Sequence, residues 1–292
     1  MKLAVYNDYR VGVVENDSVR DVTGALPAEL DLVPRERMNW LIEHWSDLED
    51  PVASCHGPHS PLADVRLREC SPSPRHVFAL PGNYREHLGE IGAMTVSGKR
   101  TANEMGFFLK APGSLAGPGD EITLPHGSRR RFDHECELAV VIGANAFEVP
   151  AAEAERVVFG YTCAVDVTMR IDPDGRQEDR SMRKSFQTFT PIGPYLVTAD
   201  EAGDPHDLTS RLSVNGEVRQ SVHTSQMIVD VWHAIEIISS VVALRPGDVV
   251  LTGTPSGVGP ITAGDKLEIA IDRIGAMTLP VIERAHVSPR TF

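Results

Sequence analysis

The chain has 292 residues, 41% of them hydrophobic, and carries 41 acidic against 28 basic side chains, a formal net charge of −13. This composition is typical of a folded globular protein and excludes collagen, coiled coil and wholesale disorder. The acidic balance disfavours nucleic acid and anionic membranes as partners, and no apolar run approaches the ~20 residues that a membrane span needs.

The first residues predict short strands followed by one helix. Apolar runs in residues 2–22 (KLAVY, RVGVV and SVRDV) are separated by Asn/Asp turns, a pattern typical of strands. Residues 35–48 carry apolar side chains at helical spacing, which predicts a single amphipathic helix. Residues 51–75 are rich in Pro, Ser and His. We therefore expect a small N-terminal α/β region over residues 1–70 and a catalytic domain over residues 71–292.

The larger unit is predicted to be rich in strands. A Gly-Asp turn followed by an apolar run occurs three times, as PGDEITL, PGDVVLT and AGDKLEIAI. Helices are predicted over PAAEAERVV and over SQMIVDVWHAIEIISSVVAL, which carries an apolar stripe. There is no βαβ alternation, no G-x-G-x-x-G after a strand and no G-x-S-x-G, which disfavours a dinucleotide fold and a serine hydrolase. The predicted fold class is mixed, β-dominated α+β.

The first candidate for chemistry is PGNYREHLGEIG at residues 81–92. His87 and Glu90 are three residues apart, so they are neighbours if this stretch is helical. A histidine beside a glutamate can accept a proton or orient a water at neutral pH, and a solvated surface pair is the alternative interpretation. Residues 89–106 hold several glycines and little apolar pattern, which predicts a mobile loop and a candidate lid.

Three acidic residues lie inside apolar strands. Glu135 and Glu137, in HECELAVVIG, share a face because residues two apart in a strand point the same way. Two like charges there repel and are costly to bury, and a cation between them removes both costs. The alternative is a strand end where both glutamates reach solvent. Asp166, in GYTCAVDVTMR, is either the partner of Arg170 or a third ligand of the same cation.

Three carboxylates with open positions suit a hard divalent ion. Mg²⁺ is the first expectation, followed by Mn²⁺, with Ca²⁺ as a further possibility. The lack of a Cys/His ligand set argues against zinc. The four cysteines form no C-x-x-C pair, which favours reduced thiols in a cytoplasmic protein.

Two further stretches offer groups for an anionic substrate. In residues 170–184, Arg170 or Lys184 is expected to turn inward toward such a substrate, the alternative being a solvated charged loop. The turn LTGTPSGVG at residues 251–259 has free N–H groups and threonine hydroxyls that can hold a carboxylate or phosphate, although such turns are common. Residues 129–131, three arginines, are expected to be solvated.

Taken together and in order, these segments resemble the fumarylacetoacetate hydrolase family. The segments that carry the resemblance are GNYREH, FFLKAPGSL, GPGDEITLP, HECELAVVIG, FGYTCAVDVTMR, KSFQTFTPIGPYLVT, VNGEVRQ and PGDVVLTGTPSGVG, over about residues 75–283. The resemblance implies that family's mixed β-sandwich roll behind a small N-terminal domain. It also implies a homodimer with one divalent ion per subunit.

The resemblance also implies roles for individual residues. By position, the residues that match the family's metal ligands are Glu135, Glu137 and Asp166. Those that match the pair handling the proton or the attacking water are His87 and Glu90. Lys184 matches the lysine beside the substrate oxygen. Arg170 matches an arginine near the active site, and Thr254 matches the threonine near the substrate carboxylate.

Two positions depart from the family's pattern. Many members read N-D-V-T where this chain has Val165 before Asp166, and the changed residue is expected to face away from the site. Many members read K-S-F-D where this chain has Gln187. The missing carboxylate is expected to alter how Lys184 is held.

The predicted function is a divalent-metal-dependent hydrolase that cleaves a carbon–carbon bond in 2,4-dioxo acids such as acylpyruvates or fumarylacetoacetate-like compounds. The resemblance implies a metal-bound enolate as the leaving group. The same site also suits an isomerase or hydratase of hydroxymuconate-type or other 2-oxo acids, or an oxaloacetate-type decarboxylase. A non-catalytic metal- and acid-binding protein is the alternative of another class. In each enzymatic case the partner is a small 2-oxo or dioxo acid.

Overall fold

A computed structural model describes residues 1–91, 100–172 and 178–286. Its strands are β1 (Lys2–Tyr6), β2 (Arg10–Glu15), β3 (Ser18–Asp21), β4 (His59–Pro61), β5 (Val77–Ala79), β6 (Phe108–Lys110), β7 (Leu115–Ala116), β8 (Ile122–Leu124), β9 (Phe132–His134), β10 (Cys136–Ile142), β11 (Val158–Val165), β12 (Thr168–Met169), β13 (Thr190–Thr198), β14 (Thr209–Val214), β15 (Glu217–His223), β16 (Val249–Leu251), β17 (Gly259–Pro260), β18 (Lys266–Ile271) and β19 (Gly275–Glu283). Its α-helices are α1 (Arg37–Glu43), α2 (Trp45–Ser54), α3 (Arg85–Ile91), α4 (Ala102–Met105), α5 (Arg180–Arg183), α6 (Ala199–Ala202) and α7 (Val231–Ser239). Strands dominate, and the fold is the predicted mixed α+β class.

The largest sheet of the described residues has eleven strands. Ten of them follow the order β4-β3-β2-β1-β13-β11-β10-β16-β5-β6, and β7 pairs with β13. The N-terminal strands join the rest through β1, where Leu3 lies opposite Leu196. Hydrogen bonding in this sheet is therefore continuous between residues 1–70 and the remainder of the chain.

Strand β10 is buried on both faces, because apolar layers cover it on each side. Four alternate side chains of β10 pack into a core with a five-stranded sheet of order β15-β14-β18-β19-β8, namely Cys136, Leu138, Val140 and Ile142. Ala139 and Val141 face the opposite way, into a core shared with Met38 and Leu41 of α1. Glu137 precedes Ala139 by two residues, so it points to that second face.

The directions of four neighbouring strands bring one terminus of each to the same end of the large sheet. Strands β5 and β16 are parallel, while β10 is antiparallel to both β11 and β16. The carboxyl ends of β5, β11 and β16 therefore lie beside the amino end of β10. The segments next to these strand termini contain the candidate residues: those of α3, the acidic motifs and the Gly-Thr-Pro turn.

The predicted strands are confirmed over residues 2–22 and after each of the three Gly-Asp turns. The prediction of a single helix over residues 35–48 is wrong. His44 leaves helical geometry, with φ −111° and ψ 23°, and its ring stacks on Trp40, so α1 ends there and α2 begins at Trp45.

The two other helix predictions need correction in type and length. Ala151–Val157 forms a 3₁₀ helix after Pro150. Helix α7 is shorter than predicted because the Asp230 carboxylate accepts the backbone N–H of His233 and sets its start. Of the loop predicted over residues 89–106, residues 92–99 lie outside the described residues, residues 89–91 belong to α3, and Ala102–Met105 forms α4. No helix in the described ranges is long and apolar enough to cross a membrane.

Candidate metal centre and catalytic cavity

Three carboxylates meet where β10 begins and β11 ends. Glu135 immediately precedes β10, Glu137 is the second residue of β10, and Asp166 follows β11 directly. The backbone N–H of Asp166 donates to the carbonyl of Glu135 at 2.9 Å, which fixes the two segments side by side. One oxygen from each of the three carboxylates lies within 4.8 Å of the others, and all three residues are buried. The predicted shared face is thus present, and the solvated strand end is not.

Within the cluster, Glu137 bears the strongest repulsion. Burial raises the pKa of Glu137 well above its usual value, and the nearby carboxylates of Asp166 and Glu135 raise it further. Burial also acts on Glu135, but the charges of Lys184 and Arg170 outweigh it and hold the Glu135 pKa well below its usual value. A divalent cation among these oxygens relieves the repulsion at Glu137, and carboxylate oxygens are the ligands that hard cations prefer. The residues therefore fit a divalent ion.

Two buried lysines hold the same carboxylates. Lys184 Nζ donates to Glu135 Oε2 at 2.7 Å, to Asp166 Oδ2 at 2.6 Å and to Thr168 Oγ1 at 2.6 Å. Lys110 Nζ donates to Asp166 Oδ1 and to the carbonyl of Phe189. Lys110 was not among the predicted site residues. Its position in the apolar run FFLKAP is the one signal available, since a charged residue inside a strand usually has a buried partner.

Arg170 turns inward, as one of the two alternatives predicted. Its Nε donates to Asp133 Oδ2 at 2.7 Å, and its Nη2 lies 2.8 Å from Glu135 Oε1. Asp133 is buried and also accepts from Arg131 Nε at 2.6 Å. The partners of Arg170 are thus Asp133 and Glu135, and the alternative in which Arg170 pairs with Asp166 is not observed.

His87 and Glu90 lie on α3 and face the Gly-Thr-Pro turn. His87 is buried, and its Nδ1 lies 3.4 Å from Glu90 Oε2. Glu90 also accepts the backbone N–H of Gly257, with Oε2 at 3.0 Å. Burial raises the pKa of Glu90, but the hydrogen bonds from His87 and Gly257 outweigh it and hold that pKa below its usual value. Glu90 is therefore ionised at neutral pH and orients the imidazole. The solvated-pair alternative does not apply to His87.

The turn after β16 is fixed from two sides. Gly253, at φ +93°, donates its N–H to Glu137 Oε2 at 2.6 Å, and a Cβ there would lie 2.7 Å from Asn83 Cβ. Thr254 Oγ1 donates to the carbonyl of Cys136 at 3.0 Å and accepts from Gln220 Nε2 at 2.8 Å. Gln220, in the motif VNGEVRQ, was not predicted to matter and here anchors the turn.

One cavity collects these groups. The predicted site residues that line it are His87, Glu135, Glu137, Asp166, Arg170, Lys184 and Thr254. Glu90 contacts it through His87. Phe108, Arg180 and Arg183 also line it and were not predicted as site residues.

Three other expectations can be compared with the structure. Val165, which replaces the asparagine found in many family members, packs into the core and faces away from the site as expected. The expected effect of Gln187 on Lys184 is not observed: Gln187 is exposed and lines a different cavity, while three other acceptors use all three protons of the Lys184 ammonium. The expectation that all three arginines at 129–131 are solvated is wrong for Arg130, which pairs with Glu178 at 2.9 Å in a buried contact.

Comparison with known proteins places this geometry among related chains. Residues 76–282 match the family model described as fumarylacetoacetate (FAA) hydrolase C-terminal. A maleylpyruvate hydrolase of Aquipseudomonas alcaligenes is 41% identical over 290 residues, which cover 96% of this chain and 99% of that protein.

Two solved structures are similar to this chain in fold. A maleylpyruvate hydrolase from Sphingobium sp. SYK-6, in complex with manganese(II) and pyruvate, has a TM-score of 0.83 and 35% identity, covering 97% of this chain and 99% of that one. A 5-carboxymethyl-2-hydroxymuconate delta-isomerase from Mycobacterium smegmatis has a TM-score of 0.72 and 31% identity, covering 97% of this chain and 100% of that one.

Proposed function

Because this chain belongs to the fumarylacetoacetate hydrolase family, we propose that it hydrolyses a carbon–carbon bond in acylpyruvates, a class of 2,4-dioxo acids. The observation that carries the proposal is one cavity holding three converging carboxylates, a buried histidine and a lysine in contact with two of those carboxylates. The 41% identical relative is a maleylpyruvate hydrolase, and a relative in this fold binds manganese with pyruvate. Family members of this kind act on carbon–carbon bonds.

We propose that the metal ligands are Glu135, Glu137 and Asp166. Mg²⁺ is the first candidate because all three donors are hard oxygens, with Mn²⁺ or Ca²⁺ as substitutes. When bound, the ion supplies a Lewis acid that polarises the 2-oxo and carboxylate oxygens of the substrate and stabilises negative charge on them.

The side chains then handle water, protons and charge. His87, with Nδ1 toward Glu90, presents Nε2 to take a proton from a water that attacks the 4-carbonyl carbon. The bond between C3 and C4 breaks, the acyl group leaves as a carboxylate, and a proton goes to C3 to give pyruvate. One water is consumed, so the products are pyruvate and one carboxylic acid.

Three cationic or polar groups complete the proposed machinery. Lys184 gives up one of its present hydrogen bonds to the oxygen on which negative charge develops. Arg170, held by Asp133, keeps Glu135 in place and adds positive charge beside the substrate. The turn at Thr254 faces the substrate carboxylate, with its shape fixed by Gln220.

Purified protein incubated with a panel of 2-oxo acids tests this proposal. We expect acylpyruvates to give pyruvate plus the matching acid in equal amounts by NMR, and we expect EDTA to remove this activity and Mg²⁺ or Mn²⁺ to restore it. Metal-dependent rearrangement of a hydroxymuconate-type diacid, or CO₂ release from oxaloacetate, would support the proposed metal site but contradict the proposed hydrolysis. Metal-loaded protein that is inert to every substrate would indicate a binding protein.

We also propose the following assembly and location. The chain is expected to form a homodimer in the cytoplasm, with residues 1–70 as a small N-terminal domain and residues 71–292 as the catalytic domain. All four cysteines are free thiols, which is consistent with a reducing compartment. Sedimentation of the full chain measures the subunit number.

A further inference from the structure

Asn83 is a fully buried polar residue that has no task in the reaction proposed above. It lies between β5 and α3, two residues before the helix and four before His87. Its side chain is 0% exposed, and it does not line the catalytic cavity. Burial of an amide is costly unless its polar atoms have partners, so the partners of Asn83 show which segments the residue holds together.

The amide of Asn83 joins two segments that are distant in sequence. Nδ2 donates to the carbonyl of Thr252 at 2.7 Å and to the carbonyl of Val229 at 2.8 Å. Oδ1 accepts the backbone N–H of Val229 at 2.7 Å, and the Asn83 carbonyl accepts the N–H of Ile228 at 2.9 Å. Both amide protons are therefore used, and all of these partners are backbone atoms. Aspartate has no donor for the two carbonyls, and serine has only one.

The segment that Asn83 binds before α7 is anchored in the protein interior. Val229 packs into the hydrophobic core that also contains β10. The next residue, Asp230, accepts the backbone N–H of His233 and caps α7. The hydrogen bonds of Asn83 therefore tie the start of α3 to a fixed part of the core.

Asn83 also sets how closely the Gly-Thr-Pro turn approaches α3. Gly253 follows Thr252 directly, and a Cβ on Gly253 would lie 2.7 Å from Asn83 Cβ, so the backbone of the turn packs against Asn83. Gly253 in turn donates its N–H to Glu137 Oε2 at 2.6 Å. The position of Asn83 is thus transmitted to the turn and to one of the proposed metal ligands.

Other contacts between α3 and the turn lie nearer the solvent. Glu90 Oε2 accepts the N–H of Gly257 at 3.0 Å, and Glu86 Oε2 accepts the hydroxyl of Ser256 at 3.1 Å. Both contacts are exposed, where water competes for the same groups. The contacts of Asn83 are buried, so they are the more rigid connection between the helix and the turn.

We infer that Asn83 is a positioning residue that fixes the His87 imidazole relative to the Gly-Thr-Pro turn. The inference rests on the proposed function, in which His87 takes the proton from water and the turn faces the substrate carboxylate. The rate depends steeply on such distances, because a displacement of about 1 Å caused by a change far from the reacting atoms can cost about 100-fold. Asn83 lies outside the cavity, so it acts through His87 and the turn.

Two substitutions of Asn83 test the inference. Asn83→Asp keeps the shape and the acceptor for the Val229 N–H but loses both donors, while Asn83→Ser removes the amide without adding a charge, so that at least one variant should fold. We expect kcat for pyruvate release from an acylpyruvate, measured per bound Mn²⁺, to fall by about 10- to 100-fold. Values within about 3-fold of the wild type in both variants would contradict the inference.

Ser239→Ala is the control for loss of a buried hydrogen bond alone. Ser239 is buried on α7 outside the cavity, and its hydroxyl oxygen accepts the N–H of Val149 at 3.1 Å. We expect this variant to lower Tm by a few degrees, as the Asn83 variants should, and to keep kcat per bound Mn²⁺ within about 3-fold. A loss of kcat as large as that of Asn83→Ser would assign the effect to general destabilisation and overturn the inference.

A double-mutant cycle separates positioning of the base from other effects on the fold. In His87→Asn the base is absent, so adding Asn83→Ser should reduce kcat by less than about 3-fold, against 10- to 100-fold in the wild type. Residues that act through one another are non-additive in this way. The same factor in both backgrounds would refute a role through His87.

Hydrogen–deuterium exchange gives a readout that needs no turnover. The amides of Gly253 and Gly257 donate to Glu137 and Glu90, so their exchange reports on both sides of the turn. We expect both amides to exchange at least about 10-fold faster in Asn83→Ser than in the wild type or the control. Unchanged exchange would contradict the inference. Faster exchange in a protein whose wild type hydrolyses no acylpyruvate would support the positioning of the turn and refute the proposed function.

Discussion

Glu137→Gln is expected to remove metal binding and activity together. Of the three proposed ligands, Glu137 has the charged form that the metal-free site disfavours most, because burial raises its pKa and the carboxylates of Asp166 and Glu135 raise it further. The amide oxygen of glutamine can still accept the Gly253 N–H, so the turn keeps its shape. Changing a neighbour of a metal ligand typically costs 10- to 100-fold in metal affinity or activity, and loss of a ligand charge should cost more than about 100-fold. Isothermal titration with Mn²⁺ measures the affinity.

The same variant should make the metal-free protein more stable. At neutral pH the ionised form of Glu137 is disfavoured in the fold, so removing its charge removes a cost. Because a raised carboxyl pKa costs stability only above the pKa of the unfolded chain, the gain should shrink at acid pH, where Glu137 is protonated in both states. Each ~1 kcal/mol gained raises Tm by a few degrees. Glu121→Gln, at an exposed glutamate, is the control. Wild-type Mn²⁺ affinity in Glu137→Gln would refute this ligand assignment.

His87→Asn is expected to keep the metal and lose turnover. His87 lines the cavity but lies outside the carboxylate cluster, so Mn²⁺ affinity should stay within about 3-fold of the wild type. Loss of a positioned general base typically costs about 10²- to 10⁴-fold, and kcat should fall by that factor. Stopped-flow or steady-state release of pyruvate measures kcat at saturating Mg²⁺.

Two companion variants check that the loss comes from the base. Glu90→Gln removes the carboxylate that orients the His87 imidazole and accepts Gly257 N–H, so a smaller loss of kcat is expected. His126→Asn, at a histidine that is 40% exposed and outside the cavity, should behave as the wild type. A His87→Asn enzyme that turned over normally would exclude this role.

The parts of the site that could be predicted from sequence are those that depend on the spacing of residues within one strand or one helix. The period of two in a strand places Glu135 and Glu137 on one face, and an aspartate inside an apolar strand needs a partner, which led to Asp166. The i, i+3 spacing on a helix led to His87 and Glu90. Each of these inferences needs only a few consecutive residues.

The parts that could not be predicted are contacts between distant segments. Lys110 reaches Asp166 across 56 residues of sequence, and Gln220 reaches Thr254 across 34. Neither has a spacing rule, because their meeting depends on strand order in the sheet. The break at His44 was missed since apolar periodicity continues through it, while the local Trp40–His44 contact ends α1.

The central claim is that Glu135, Glu137 and Asp166 hold one divalent ion on which carbon–carbon cleavage depends. Its most direct test is to strip the protein with EDTA, add Mn²⁺ stepwise, and follow bound Mn²⁺ by electron paramagnetic resonance and pyruvate release from an acylpyruvate in the same samples. We expect activity to rise in proportion to occupancy and to saturate at one ion per chain. Full activity in the stripped protein, or saturation of binding without any activity, would contradict it.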